Sequence, residues 1–492
     1  MKPFKILLFL LSVLFILLIL SLFFPEDGIR INEKFSLHFI NPDEIFDNDT
    51  SEYADISLII SQSIAINDSI LTFDMVFPGE EGFNPDTIRA NEDSLKIKVH
   101  RIEFPDGDRT ILHPFFHHLS NLNSSNELIR IMHYGDSQIE GDRMTSFIRY
   151  RLQRRFGGSG IGLQPMVSLY GYQLSLKHTA SDNWIRYTAF GNADTTLEHD
   201  CYGALACFAR FTPYGKDKLL PDTVLNEAWI EVQGSSRAWP QMTQYNRCKI
   251  FFGNSTEPVL YELYTDDNLV DADFLPVSDG LAIKLWEFDQ SPAKLKLSFK
   301  GSVSPDFYGI AFDSEKGLAV DNIPMRGSAG LVFTRIDQDL LKEMFDSLNV
   351  KMLILQFGGN VVPYIAENYS FYEKWFAGQL KRLKKMCPDI PIMVIGVSDM
   401  STKEKNRFVT YPYLEEIRDA LKAASFSAGC AYWDMFEAMG GKNSMPSWVF
   451  AKPSLAASDF VHFNQRGARV IAEMFYNAFI YEYESYLENY HK

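Results

Sequence analysis

The apolar run Leu128-Ile129-Arg130-Ile131-Met132 is followed, after His133 and Tyr134, by the tetrapeptide Gly135-Asp136-Ser137-Gln138. The run predicts a buried strand and the tetrapeptide a turn, after which apolar residues continue at helical spacing through Leu152. Strand, turn and helix in this order form one unit of an α/β sheet. The serine would lie at the end of the strand, where a substrate could reach it, although such strings are also common in turns.

The same α/β pattern returns in the second half of the chain. Near-continuous apolar runs alternate there with segments of helical spacing, as in a parallel sheet that is covered on both faces. The predicted strands are Tyr308–Phe312, Met352–Gln356 and Ile392–Gly396, and the predicted helices lie around 340–348, 372–387 and 413–424.

Between about Tyr170 and Tyr308 the helical spacing disappears. Short aromatic and β-branched runs recur between turn residues, for example Ala228–Val232 and Leu295–Phe299. This spacing predicts an all-β sandwich inserted into the α/β domain.

The amino terminus predicts a membrane anchor. Lys2 and Lys5 precede an apolar run from Ile6 to Phe24 that only two serines interrupt and that no cleavage-site pattern follows. The lysines would stay in the cytoplasm, so we expect the chain after Pro25 to lie outside it, in a periplasm or cell envelope.

These patterns divide the chain into five predicted segments. They are a signal anchor over 1–25, a spacer with a small, partly β region over 26–126, a first part of the α/β domain over 127–170, the β-sandwich over 171–308, and a second part of the α/β domain over 309–485.

Composition argues against nucleic-acid binding. The 492 residues carry a formal net charge of −16, whereas phosphate binding requires clustered Lys and Arg. The nearest basic cluster runs from Arg149 to Arg155, and its spacing predicts the solvated face of a helix.

The five cysteines predict no metal site, because none has a C-x-x-C partner. Cys201 and Cys207 could form a disulfide, or both could be buried thiols.

A second group of chemically active residues lies near the carboxyl end. Asp459 and His462 precede an amphipathic helix for which Asn464 is a suitable N-cap. The Asp459 carboxylate could accept from Nδ1 of His462 and hold Nε2 toward a serine. The alternative is a surface Asp and His without a chemical role.

Together, Gly135-Asp136-Ser137 and Asp459-x-x-His462 resemble the SGNH (GDSL-type) hydrolase family. The resemblance implies a flavodoxin-like three-layer α/β/α domain with a parallel sheet, in which Ser137 is the nucleophile and Asp459 and His462 complete the triad. It implies no cofactor.

Two further blocks resemble the oxyanion-hole segments of that family. Asp321–Gly327 implies Gly327 as a backbone donor beside Ser137, with Gly330 as the competitor, and Gly358-Gly359-Asn360-Val361 implies the Asn360 side-chain amide. Val361 departs from the family's usual Asp, but this change removes no catalytic group.

The resemblance implies a carboxylic ester hydrolase that removes O-acetyl groups from an envelope or exported carbohydrate. One alternative is an O-acetyltransferase that uses the same triad with a membrane-bound acyl donor, and another is a non-catalytic glycan-binding protein. The inserted region resembles the carbohydrate-binding modules of some such enzymes. Its aromatic residues could stack on sugars, but core packing is favoured; they are Trp184, Tyr187, Trp229 and Trp239.

Overall fold

The computed structural model describes residues 3–23, 29–32, 35–37, 53–61 and 100–490, apart from 123, 193, 195, 215–224 and 406. The strand-like alternation of Ser94–Val99, part of the predicted partly β region, lies outside these residues.

A five-stranded parallel sheet forms the centre of the fold. Its strands, in spatial order, are Gly317–Pro324, Leu128–Gly135, Val350–Gln356, Ile392–Ile395 and Ala431–Trp433. Numbered along the chain, this order is 2-1-3-4-5, the flavodoxin-like arrangement. Gly135 lies opposite both Pro324 and Gln356, so three strands end at the same edge. The predicted parallel α/β sheet is confirmed.

Helices cover both faces of this sheet. Successive side chains of a strand point to opposite faces. Tyr134 and Leu355 join a buried cluster with Leu341, Phe376 and Leu421, whereas the neighbouring strand residues are buried outside that cluster. The helices of this face are Gln338–Ser347, Ser370–Met386 and Leu414–Ser427, and those of the other face are His113–Asn121, Thr145–Phe156 and Gln465–Tyr490.

Shorter helices connect these elements. The short α-helices are Met435–Ala438 and Ser444–Phe450, and the 3-10 helices are Pro105–Gly107, Arg109–Leu112, Ser137–Asp142, Pro240–Thr243 and Phe333–Arg335.

The predicted β region is present as two antiparallel sheets. One contains Asn268–Leu275, Val259–Thr265, Lys294–Gly301, Asn226–Gly234 and Leu176–Ala180, and the other contains Ala282–Glu287, Arg247–Gly253, Asp306–Asp313, Cys207–Arg210, Ile185–Thr188 and Gly162–Gln164. The sheets pack face to face, with the rings of Phe299 and Phe307 4.8 Å apart.

The prediction for Tyr308–Phe312 was wrong. This run belongs to the antiparallel strand Asp306–Asp313, and the parallel sheet resumes only at Gly317. Every residue of Asp306–Asp313 is buried, so it lacks the alternation that distinguishes an antiparallel strand with one solvated face. Residues 113–121, predicted as part of the spacer region, form a helix whose Phe116 packs on Phe479.

The predicted solvated face of Arg149–Arg155 was wrong for Arg149, whereas Arg154 is exposed. Arg149 is fully buried, and its Nη1 lies 2.7 Å from Oδ2 of Asp142. A guanidinium can be buried when it forms an ion pair. The prediction failed because the helical spacing of the arginines does not reveal that Asp142 is such a partner.

At the amino terminus, residues Pro3–Phe23 form a helix, and a hairpin joins Ile29–Asn32 to Phe35–Leu37. A second small hairpin joins Ser401–Glu404 to Arg407–Thr410. Among the residues described with their side chains, no helix is both long and apolar enough for a membrane crossing. The signal anchor stays a prediction.

All five cysteines are free thiols, including Cys201 and Cys207. Cys207, Cys248, Cys387 and Cys430 are buried. In the structure, Cys201 and Cys207 are therefore two thiols and do not form the alternative disulfide.

Candidate active site

Ser137 is held in a tight turn at the edge where the central strands end. A Cβ on Gly135 would lie 3.0 Å from the Gln356 carbonyl oxygen, so the strand can leave the sheet this closely only with glycine. The Asp136 carboxylate then accepts from the Gln138 N–H at 3.0 Å and caps the 3-10 helix Ser137–Asp142. In open α/β sheets, this edge is where ligands bind.

Ser137, His462 and Asp459 form a continuous hydrogen-bonded chain. Ser137 Oγ lies 2.9 Å from His462 Nε2, and His462 Nδ1 lies 2.8 Å from Asp459 Oδ2. The other carboxylate oxygen, Oδ1, accepts from the backbone N–H groups of Val461 and His462. Partial burial pushes the pKa of Asp459 upward, but these hydrogen bonds outweigh it and lower the pKa. The structure thus brings together the three residues predicted as a triad.

Asn360 lies beside this chain, in the loop after the strand Val350–Gln356. Its Nδ2 donates to the Ser328 carbonyl oxygen at 3.0 Å, and its side chain lines the same cavity as Ser137 and His462. One amide hydrogen fixes the orientation of the side chain, which leaves the second hydrogen for a further acceptor.

Gly327 lies in the turn after the strand Gly317–Pro324. Met325 N donates to the Gly135 carbonyl oxygen at 2.7 Å, so this turn begins next to the Ser137 turn. Gly327 has φ +78, and a Cβ atom added there would have no other atom within 4 Å. A Cβ atom added to Gly330 would lie 2.8 Å from the rings of Phe357 and Phe376. Both glycines have a left-handed backbone, with φ +79 at Gly330, but only at Gly330 does packing also exclude a side chain. Gly327 is not among the residues that line the cavity.

The cavity in front of Ser137 has a volume of about 230 Å³. Ser137, His462 and Asn360 line it together with the less polar Pro363, Met400 and Tyr411. A cavity of this size holds a small group and is too small for several sugar rings. A polymeric substrate would therefore have to place only its reacting group inside.

No family model matches the sequence, and no curated protein matches it. A solved structure described as "Peptidoglycan O-acetylesterase in action, 5 min" matches with a TM-score of 0.59 and 20% identity, over 76% of this chain and 96% of that chain. The chain has the fold of an SGNH hydrolase.

Two other solved structures match less well. A family two carbohydrate esterase from Clostridium thermocellum has a TM-score of 0.22 at 8% identity, over 60% of this chain and 97% of that chain. An acetyl xylan esterase has a TM-score of 0.26 at 14% identity, over 33% and 81%. Superpositions this poor add nothing to the assignment of the SGNH fold.

Within the SGNH fold, two polar side chains that the sequence analysis did not single out hold the serine turn against the histidine loop. Gln138 Nε2 donates to the Val461 carbonyl oxygen at 2.7 Å and to Ser398 Oγ at 3.1 Å. Arg143 donates to the carbonyl oxygens of Ser137 and Phe463. A role for Gln138 at the site could have been predicted from the sequence, because Gln138 directly follows the serine. Nothing in the sequence pattern marks Arg143.

Asp136 is a third polar side chain that holds the serine turn in place. Its carboxylate also accepts from the Gly359 N–H, next to Asn360. Burial raises the pKa of Asp136 to about 6, against the opposing effect of these hydrogen bonds and of His462. Asp136 therefore couples the serine turn to the Asn360 loop.

Of the four aromatic residues predicted as core or sugar platforms, Trp184, Tyr187 and Trp239 pack in the core. The Trp184 ring packs edge-to-face on Phe299 and Phe307, and its Nε1 donates to the Trp229 carbonyl oxygen. Tyr187 and Trp239 are 4% and 7% exposed, and Trp229 is half-buried.

One group of potential metal ligands occurs among the described residues. Single ligand atoms of Asp200, Cys201 and Asp337 lie within 4.8 Å of one another. The group includes none of the residues that line the cavity.

Proposed function

We propose that this chain is a serine esterase that removes acetyl or other short acyl groups from an O-acylated carbohydrate. The observation that carries the proposal is the hydrogen-bonded chain Ser137–His462–Asp459 at a cavity of about 230 Å³. The small cavity favours a short acyl group. The fold shared with a peptidoglycan O-acetylesterase supports carbohydrate as the alcohol part of the ester.

In the first half of the reaction, His462 Nε2 takes the proton from Ser137 Oγ as this oxygen attacks the acyl carbonyl carbon. Asp459 holds the imidazole by its Nδ1–H and stabilises the positive charge that forms. His462 then gives the proton to the sugar oxygen as the ester bond breaks. The products are the free sugar hydroxyl and an acyl group on Ser137.

In the second half, His462 takes a proton from water as the water oxygen attacks the acyl carbon. His462 then returns the proton to Ser137 Oγ as the bond between Oγ and the acyl carbon breaks, which releases the acid. Both steps develop negative charge on the carbonyl oxygen. We assign its stabilisation to the Ser137 N–H, the Gly327 N–H and the Asn360 amide. Loss of one such donor costs about 10²- to 10³-fold in kcat.

We also propose that the amino-terminal apolar run anchors the enzyme, with its catalytic part outside the cytoplasm, in a periplasm or cell envelope. Lys2 and Lys5 before Ile6–Phe24 support this orientation. The acylated carbohydrate would then be a polymer of the envelope or an exported one.

Ser137→Ala tests the proposed chemistry. We expect kcat on p-nitrophenyl acetate and on acetylated glycans to fall at least about 10⁴-fold, because the nucleophile is gone. Labelling by a fluorophosphonate probe should also disappear, while circular dichroism stays unchanged.

Ser120→Ala, in the helix His113–Asn121, is the matched control and should retain full activity. Substantial hydrolysis by folded Ser137→Ala protein would refute the triad. Assays with and without an acceptor sugar identify the acyl acceptor, and acyl transfer to sugar in preference to water would refute the esterase proposal.

A further inference from the structure

A group of exposed aromatic rings lies beside the cavity. We call Tyr364, Phe371, Trp375 and Tyr413 the aromatic shelf. Tyr364, Trp375 and Tyr413 are 64%, 55% and 44% exposed. The ring of Phe371 lies 6.1 Å from that of Tyr364 and 5.2 Å from that of Trp375.

Phe371 is partly buried against the core, but core packing does not account for the exposed rings of Tyr364, Trp375 and Tyr413. The helix Ser370–Met386 buries Tyr372 and Phe376, while Phe371 and Trp375, four residues apart, share its other face. All seven tryptophans are described, and only Trp375 is exposed. Trp375 and Tyr364 both contact Phe371, so the rings form one contiguous exposed patch, and such patches mark binding sites.

Tyr413 reaches the shelf through a strained backbone. It has φ +64 at the start of the helix Leu414–Ser427. This left-handed conformation costs a non-glycine residue free energy, and such strain concentrates at binding sites. Its ring lies 6.4 Å from that of Tyr369, whose hydroxyl donates to the Tyr364 carbonyl oxygen and so joins the two sides of the shelf.

The shelf begins where the cavity ends. Pro363 and Tyr411 line the cavity, Tyr364 follows Pro363 directly, and Tyr413 lies two residues after Tyr411. A chain that places one reacting group at Ser137 and continues out of the cavity on this side would run over the exposed rings.

We propose that the aromatic shelf binds sugar rings of the glycan chain next to the acylated sugar, by stacking their apolar faces on Trp375, Tyr364 and Tyr413. This inference rests on the proposed function. Rigid aromatic side chains provide contact area at low cost in conformational entropy. Glu367 and Glu416 are exposed and each lies three residues after a shelf residue, Tyr364 or Tyr413. In this proposal their carboxylates accept from sugar hydroxyls and repel an anionic bilayer.

The double variant Trp375→Ala/Tyr364→Ala tests the shelf. We expect KM on acetylated xylan or sonicated O-acetylated peptidoglycan to rise about tenfold, corresponding to about 1.4 kcal/mol of lost binding. The ratio of kcat/KM on polymer to kcat/KM on p-nitrophenyl acetate should fall by the same factor, because the small ester does not reach the shelf. Phe274→Ala, which removes a ring 57% exposed on the antiparallel region, is the control. An unchanged ratio would overturn the proposal.

A binding measurement separates this proposal from the esterase proposal. If wild-type protein hydrolyses neither ester, the proposed function fails, and the shelf is still tested with inactive Ser137→Ala protein. De-acetylated xylan or peptidoglycan should quench or blue-shift its tryptophan emission, and Trp375→Phe in the same background should abolish that change. Binding to phosphatidylglycerol vesicles without any response to glycans would overturn the shelf as a sugar site, as would no response to either.

Discussion

Asp136 shows how one buried side chain can organise a site without taking part in its chemistry. It is 3% exposed, caps the serine turn through Gln138 N–H, and accepts from Gly359 N–H in the loop that carries Asn360. The residue types and their order were enough to predict that Ser137, Asp459 and His462 lie together. The supporting bonds of Asp136, Gln138 and Arg143 could not be predicted, because most of them join residues more than 200 positions apart.

Asp136 should make the free energy of unfolding depend on pH. Its folded pKa of about 6 exceeds the unfolded value of 3.8, so the folded state binds the proton more tightly. Its contribution to stability is present below pH 3.8 and is lost as pH rises through 6, by about 3 kcal/mol in total. Urea denaturation of wild-type and Asp136→Asn protein between pH 4 and 7 measures this.

We expect the stability difference, wild type minus variant, to become less positive over that interval. Ser137→Ala is the control, because it leaves the carboxyl group in place. A difference that stays constant with pH would show that Asp136 keeps an ordinary pKa.

At the scale of elements, helices were predictable where their apolar spacing was regular. The segments around 372–387 and 413–424 correspond to the helices Ser370–Met386 and Leu414–Ser427. The strand Asp306–Asp313 was assigned to the wrong sheet, because a strand buried on both faces has the same pattern in a parallel and an antiparallel sheet. The left-handed conformation of Tyr413, directly before the helix Leu414–Ser427, could not be predicted either, since tyrosine rarely adopts that conformation.

Substitutions at Tyr413 should separate strain from binding. Tyr413→Ala and Tyr413→Gly both remove the ring, but only glycine adopts φ +64 without a Cβ clash. We expect the Tyr413→Gly protein to exceed the Tyr413→Ala protein by about 1 kcal/mol in free energy of unfolding. Thermal and urea denaturation measure the difference.

Both substitutions should raise KM on the glycan polymer to a similar extent, because both remove the same ring from the aromatic shelf. Equal stability of the two proteins would mean that position 413 is not strained. A polymer KM that only one of them changes would mean that backbone conformation, and not the ring, controls binding.

At the scale of the whole molecule, the antiparallel region and the α/β fold share one interior. The Tyr134 hydroxyl, on the central sheet, donates to the Ala204 carbonyl oxygen at 2.7 Å. Arg130, on the same central strand, lies 2.6 Å from Asp321 of the neighbouring strand and 2.6 Å from Asp313 of the antiparallel sheet. The sequence predicted the inserted β region as a separate sandwich, because periodicity describes each strand and not the contacts between sheets.

Arg130→Met should destabilise the molecule by about 3 to 5 kcal/mol, because it leaves two buried carboxylates without their cation. Arg130, Asp313 and Asp321 are all at most 1% exposed. Burial raises the pKa of Asp321 to about 6 even though Arg130 opposes this. Without Arg130 the pKa should rise further, so the destabilisation should be smaller at pH 5, where protonation removes the unpaired charge, than at pH 8.

Urea denaturation at the two pH values measures the effect, and Lys342→Met, which breaks an exposed helical pair with Asp346, is the matched control. We expect the control to lose less than about 0.5 kcal/mol. If Arg130→Met does not fold, Asp313→Asn removes only one of the two carboxylate charges and keeps the comparison measurable. A loss below about 1 kcal/mol for Arg130→Met, or one independent of pH, would mean that the ion pairs of Arg130 do not help to hold the two parts of the molecule together.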